Sequence, residues 1–304
     1  MILGAIEAGG TKINCAIGNE DGKIYDSIRI DTKSPEKTIA QIIGYFKKNP
    51  VEAMGIGSFG PAVVDPLSKD YGLILDTPKQ GWENFNFLGA LKKYLDIPMV
   101  FDTDVNGAAL GEYRWGAARQ VNSCVYMTVG TGIGGGACIG GELLHGILHP
   151  EMGHIPVRIH PEDSFEGICP FHSNCLEGMA SGPSMEKRWG KKADLLKPSH
   201  MAWDLEAYYL AQGVVNIILL IGPEKIILGG GVMSQGHLLP KIRKNVQLLL
   251  NGYLKIGYLE NDINTYIVEP MLGKDSGLYG ALALASKWEN KQLHGVQYEH
   301  KKTR

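Results

Sequence analysis

Asp102 and Asp104 close an apolar run, Pro98 to Phe101, and the residues after them read as a helix from about Asn106 carrying Ala108, Ala109, Leu110 and Glu112. A carboxylate at such a strand mouth can take the proton of an alcohol while that oxygen attacks phosphorus. The strand keeps its backbone rigid and its head faces a cleft. The alternative is an acid that only caps a helix. For Asp102 the cap is the simpler reading; for Asp104 both stand.

A second group is Cys169-Pro-Phe-His172-Ser-Asn-Cys175, with His154 fifteen residues upstream of the first cysteine. Spacings of three let one tight turn converge three soft or borderline ligands on a single ion, and tetrahedral zinc then needs one more, for which His154 is the natural candidate. Two buried cysteines with an exposed histidine are the plain alternative, and a Cys169–Cys175 disulfide is disfavoured in a reducing cytosol. The spacing favours zinc. Beside it, Glu151-Met-Gly-His154 and Glu177 offer carboxylates and an imidazole of the kind that bind vicinal sugar hydroxyls while an ion staples their loop. Surface carboxylates would look the same in periodicity.

The third group is Glu7-Ala-Gly-Gly-Thr-Lys12, which interrupts two apolar runs. Either it is a hairpin turn, where glycine supplies positive φ, or it is a backbone cradle for phosphate, where any Cβ would hold the anion off the N–H groups. Glycine is over-used, 40 in 304 residues against about 7% on average. The excess is clustered at Gly9-Gly10, Gly55 to Gly60, Gly130 to Gly136, Gly140-Gly141 and Gly229 to Gly231. Each cluster closes an apolar run, as loops at strand ends do where ligands are held.

The elements that must position these groups follow an α/β pattern. A strand, glycine turn and strand open the chain, followed by a turn at Glu20-Asp21-Gly22 and a strand Ile24 to Ile30. A helix is opened by Ser34 as N-cap with Pro35 in its first turn. A buried strand Ala53 to Ile56 and a helix near Leu88 to Leu95 lead to the acids. The second half starts the same way, with strand Cys124 to Val129, glycine turn Gly130 to Gly136 and strand Ala137 to Ile139. Two such hairpins about 120 residues apart read as a domain-scale duplication. Gly130-Thr-Gly-Ile-Gly-Gly135 also satisfies the dinucleotide fingerprint G-x-G-x-x-G, but that motif needs a helix directly behind it, and Ala-Cys-Ile-Gly-Gly is poor helix sequence. The Rossmann reading is rejected. Irregular sequence after residue 145 gives way to a helix from about Trp203 to Ile221, a strand Lys225 to Leu228, another helix and a strand Tyr266 to Val268. A last helix, about Ser276 to Trp288, carries small residues at Gly280, Ala281, Ala283 and Ala285.

Net charge is −2 with no basic run in the body of the chain, which gives no reason to expect nucleic acid. The N-terminal apolar run has no cationic segment before it, and the longest apolar stretch, Val214 to Ile221, falls far short of the roughly 20 residues of a bilayer span. A cytoplasmic protein is expected.

These motifs together resemble the ROK sugar kinases over nearly the whole chain, most closely the bacterial zinc-containing fructokinases. The matching stretches are Glu7 to Lys12, Asp104-Val-Asn106-Gly-Ala-Ala109, Val129 to Gly136, Glu151-x-Gly-His154, the Cys/His cluster with Cys175-Leu-Glu177, and Leu228-Gly-Gly-Gly231-Val. The resemblance implies a duplicated actin/hexokinase-like (ribonuclease H-like) α/β fold with two domains around a cleft: 1–117, then 118–275 with the Cys/His insertion, with helix 276–288 packing back on the first domain and 289–304 a polar tail. It implies that Gly9, Gly10, Thr11, Lys12, Thr131 and Gly132 line the phosphates of ATP, with Gly230 at the adenosine. Asp104 would be the general base; Gly60, Asn106, Glu151, His154 and Glu177 would contact sugar; His154, Cys169, His172 and Cys175 would bind zinc. The implied reaction moves the γ-phosphoryl of Mg-ATP to the C6 hydroxyl of fructose, by a homodimer. Glu7 stands where many relatives carry Asp, and Thr103 where many carry Asn. Two alternatives are a kinase for glucose, mannose or an N-acylated amino sugar, and a sugar-sensing repressor. The repressors carry a helix-turn-helix before the first glycine loop, which here begins at residue 9.

Overall fold

The computed structural model describes residues 1–77 and 79–293; the tail expected at 289–304 lies outside them from 294 on. The chain divides into two compact units, Met1–Gly107 together with the described residues from Gly277 onward, and Ala108–Ser276. The change of unit at 107/108, against the expected 117/118, lies inside one continuous helix.

In the first unit, β1 (Leu3–Ala8), β2 (Lys12–Gly18), β3 (Ile24–Asp31), α1 (Pro35–Lys48), β4 (Ala53–Ser58), the short strands β5 (Leu73–Ile74) and β6 (Phe85–Asn86), α2 (Phe87–Lys92) and β7 (Met99–Thr103) precede α3 (Asp104–Trp115). The main sheet runs β3-β2-β1-β4-β7. The first three strands are antiparallel neighbours, and β1, β4 and β7 are parallel. Helix α1 shows why it packs: Ile39, Ile42, Ile43 and Phe46 fall at helical spacing and are all buried, giving one apolar stripe toward the sheet. Ser34 occupies its N-cap, but the side chain makes no capping bond; the hydroxyl of Thr38 instead accepts from Lys33 N at 3.0 Å.

In the second unit, β8 (Ser123–Val129), β9 (Ile133–Ile139) and β10 (Glu142–Leu143) are followed by α4 (Leu176–Ala180), α5 (Gly182–Trp189), α6 (Ala202–Leu220), β11 (Lys225–Gly229), α7 (Leu238–Leu250), α8 (Gly257–Glu260), α9 (Ile263–Tyr266) and β12 (Ile267–Val268); α10 (Ser276–Leu293) then leads into the first unit. This sheet runs β10-β9-β8-β11-β12, with two antiparallel and two parallel pairings in the same order as the first. The duplication expected from the two glycine hairpins is therefore one of topology.

Three expectations need correction. Gly134, Gly135 and Gly136 belong to β9 rather than to a turn, pairing with Thr128, Met127 and Tyr126. Glycine is used there because a Cβ on Gly135 would stand 2.5 Å from Met152 Sδ, so the bare strand makes room for a core methionine. The helix after the acids begins at Asp104, not Asn106. Helices α4 and α5 were not anticipated inside the Cys/His/Pro-rich segment. As expected, the residues behind the second glycine turn form a strand, so no dinucleotide fold arises. Among the described residues no helix is long and apolar enough to cross a membrane.

Candidate active site

Because β1, β4 and β7 are parallel and in register (Ala8 opposite Ser58, Ser58 opposite Thr103), their C-terminal ends share one sheet edge. Ligands of α/β sheets bind at such edges. The first glycine turn follows β1, Phe59-Gly60 follows β4 and Asp104 follows β7. Phe59 N donates to Ala8 O at 2.8 Å, fixing the Gly60 bend beside the turn.

That turn is closed by Gly9 N donating to Lys12 O at 2.9 Å. Neither Gly9 nor Gly10 lies at positive φ, so the hairpin reading does not explain the glycines. A Cβ on Gly10 would meet nothing within 4 Å; the position faces open space, where a side chain would obstruct only an incoming group. Thr32, which the sequence reading passed over, holds the turn from behind: its N donates to Thr11 O at 3.1 Å and its Oγ1 to Gly9 O at 2.8 Å. Glu7 Oε2 accepts from Asn14 Nδ2 at 2.7 Å. Its Oε1 lies where a Cβ on Gly277, at the start of α10, would come within 2.5 Å, so the longer acid depends on a bare helix start.

Asp104 is half-buried, and its Oδ1 accepts from Val105 N at 2.9 Å, which fixes its head at the start of α3. Asp102 is not the cap it resembled. It is 4% exposed inside β7, and its Oδ1 accepts from Thr103 N and from Asn106 Nδ2, both at 2.8 Å. Asn106, expected at the sugar, is fully buried on that carboxylate, with its N on Thr103 Oγ1 at 3.2 Å.

The second unit repeats the device. Parallel β8 and β11 end at Val129 and Gly229, and a glycine follows each, Gly130 and Gly230. Gly130 and Gly132 are not at positive φ, whereas Gly230 is, at φ 96°; a Cβ there would collide with Val129 O and lie 2.7 Å from Thr128 Oγ1. Gly182 N, in the first turn of α5, donates to Gly130 O at 2.8 Å. Glu177 on α4 accepts from Ile133 N at 2.8 Å, and its Oε2 would be 2.6 Å from a Cβ on Gly132. Thr131 is exposed beside it. Thus Thr131, Gly132, Gly230 and Glu177 gather at one edge. Glu151 is exposed, with its carboxylate 3.5 Å from His149 Nδ1.

Ligand atoms of His154, Cys169, His172 and Cys175 all lie within 4.8 Å of one another. Cys169 Sγ is 3.8 Å from His154 Nδ1 and 3.6 Å from His172 Nδ1. Zinc–ligand bonds of about 2.0–2.3 Å in a tetrahedron give ligand–ligand edges of roughly 3.3–3.8 Å, which the two Cys169–histidine separations match. Burial pushes the Cys175 thiol up to about 11, so a metal binding there must displace its proton. Gly178 is bare because a Cβ would stand 3.0 Å from that of Cys169.

A profile of the ROK family matches residues 3–288. The chain is 45% identical to a fructokinase of Pediococcus pentosaceus, covering 94% of this chain and 98% of the relative. It is 43% identical to a fructokinase of Streptococcus mutans, again over 94% and 98%. Among solved structures, a ROK hexokinase from Thermus thermophilus shares the fold with a TM-score of 0.79 at 23% identity, over 96% of this chain and all of that one. A ROK family glucokinase from Streptomyces griseus, in complex with glucose and AMPPNP, gives 0.73 at 24%, over 94% of this chain and all of that one. With both five-stranded sheets and the motifs inside the matched span, the chain belongs to the ROK family.

Proposed function

We propose that the protein is an ATP-dependent fructokinase. The observation that carries the phosphate part is the first glycine turn: two glycines at which no positive φ is required, Gly9 closed tightly on Lys12 O and Gly10 facing open space, at the sheet edge that also bears Asp104. The choice of hexose is supported by relatives above 40% identity that are fructokinases.

In this reading the amides of Gly9, Gly10 and Thr11 and the ammonium of Lys12, with Thr131 and Gly132, take the phosphates, and Gly230 borders the adenosine. Glu151, His154, Glu177 and Gly60 orient the sugar, with Asn106 buried on the Asp102 carboxylate. The C6 oxygen attacks the γ-phosphorus as the bond to the bridging oxygen of ADP breaks, and the hydroxyl proton passes to the Asp104 carboxylate. Magnesium, arriving with ATP, neutralises phosphate charge; Glu7 is the carboxylate beside the first turn that would hold its shell. Zinc would be held by His154, Cys169, His172 and Cys175 in a closed four-ligand site, which supplies a structural staple rather than an open coordination position. The family likeness adds a cytoplasmic homodimer.

Coupled assays with ATP across fructose, glucose, mannose and N-acylated amino sugars test the reading. Fructose is expected to give the highest kcat/KM; a higher value for another hexose reassigns the substrate, and no turnover with any sugar removes the kinase. Elemental analysis is expected to find about one zinc per chain. Full activity in a zinc-free preparation would show that the cluster does not serve turnover.

A further inference from the structure

The loop between His154 and Cys169 carries a buried ion pair that the reaction does not use. Arg188 on α5 and Asp163 on the loop meet at 3.2 Å, with side chains 6% and 5% exposed. An exposed pair contributes little; a buried one is held only where further hydrogen bonds satisfy both partners. Here they do. Arg188 Nη2 donates to Met179 O at 2.9 Å, and its guanidinium lies over Phe165 at 4.4 Å and over Tyr209 at 5.4 Å. Tyr209 Oη donates to Asp163 Oδ2 at 2.6 Å and accepts from His160 N at 3.2 Å. Glu206, fully buried on α6, is the second acid near Arg188. Burial pushes its carboxyl well above the ordinary range while Arg188 draws it down, and a neutral Glu206 leaves the arginine charge to Asp163.

We propose that Arg188 is a positioning residue for the Cys/His cluster, bracing the middle of the ligand loop against α4, α5 and α6 so that the four ligands stand assembled before a metal arrives. Two contacts carry the brace toward the ligands. Ile168 N, next to Cys169, donates to Gly178 O at 3.0 Å. Met179, whose carbonyl Arg188 takes, lies on α4, which Cys175 caps, and its N donates to Cys175 O at 3.1 Å. The inference rests on the zinc reading of the cluster.

Zinc-loaded wild type, Arg188→Lys, Asp163→Asn and Tyr209→Phe are mixed with a chromophoric chelator and metal release is followed. Outer partners of a metal site typically govern 10–100-fold in affinity. Arg188→Lys and Asp163→Asn are expected to release zinc at least tenfold faster, and Tyr209→Phe, which removes one hydroxyl, several-fold faster. Excess zinc should restore their KM for the sugar. Lys241→Ala, which breaks the exposed Lys241–Asp204 pair on α7 and α6, should release at the wild-type rate. Wild-type release from all three brace variants, with unfolding temperatures within a few degrees of wild type, overturns the brace alone. A wild type without stoichiometric zinc overturns the metal reading and the brace with it.

Discussion

Asp104→Asn is expected to lower kcat by about 10²- to 10⁴-fold, the usual worth of a positioned general base, with fructose still binding. Asparagine has the shape of aspartate, and its amide oxygen can keep the bond from Val105 N, so the start of α3 should survive. It cannot take up the hydroxyl proton. The competing role, a simple helix cap, predicts that turnover and stability both stay near wild type, because Asn and Asp cap helices about equally well. Unfolding temperature and kcat measured on one preparation therefore separate the two. Loss of turnover at unchanged stability assigns the base, and near-wild-type turnover removes Asp104 from the role.

Most of the α/β order was legible because each strand is a short apolar run closed by glycine or acid, and this local punctuation survives without tertiary knowledge. The zinc candidate was legible too: three ligands of two types at fixed spacing are a local signal, and His154 was reached by chemistry rather than by distance. Glycines were harder. The letters Gly130 to Gly136 do not say which bend the chain and which pave a strand. Gly135 is bare for Met152, a contact that no window around it contains. Helix α5 escaped for a different reason. Its signals were present, with Ser181 as N-cap accepting from Ser184 N, Pro183 in the first turn and Gly190 in the left-handed cap at φ 68°, but the Cys and His residues around it drew the eye to ligands. Asp102 was misread because its partner, Asn106, lies one helical turn on, and an acid before a helix looks like a cap whether or not it is one. Thr32 and Arg188 act across 23 and 25 residues, on carbonyls and side chains that sequence spacing does not point to.

The largest effect on stability is expected at Gly55, in the middle of β4, for which the sequence offered only a glycine-rich run and a last helix lined with small residues. Those two features meet. A Cβ on Gly55 would collide with Ala281 O and stand 2.6 Å from Ala285 N and 2.9 Å from Leu284 Cβ, so the backbone of α10 lies directly on the strand. A side chain there has no flexible neighbour to push aside; helix and sheet must separate. Overpacking a core typically costs about 1–3 kcal/mol, and contact with backbone puts Gly55→Ala at or above the upper end. In a protein of this size that corresponds to a fall in Tm on the order of 5–10 °C. The same substitution at Gly44, exposed on α1 with nothing within 4 Å of its missing Cβ, should raise stability by about 1 kcal/mol, since alanine is the better helix former. Calorimetry on the two variants should give shifts of opposite sign, with kcat at low temperature near wild type in both, because neither position touches the proposed site. Equal shifts would mean that α10 does not rest on β4 in the way the glycine requires.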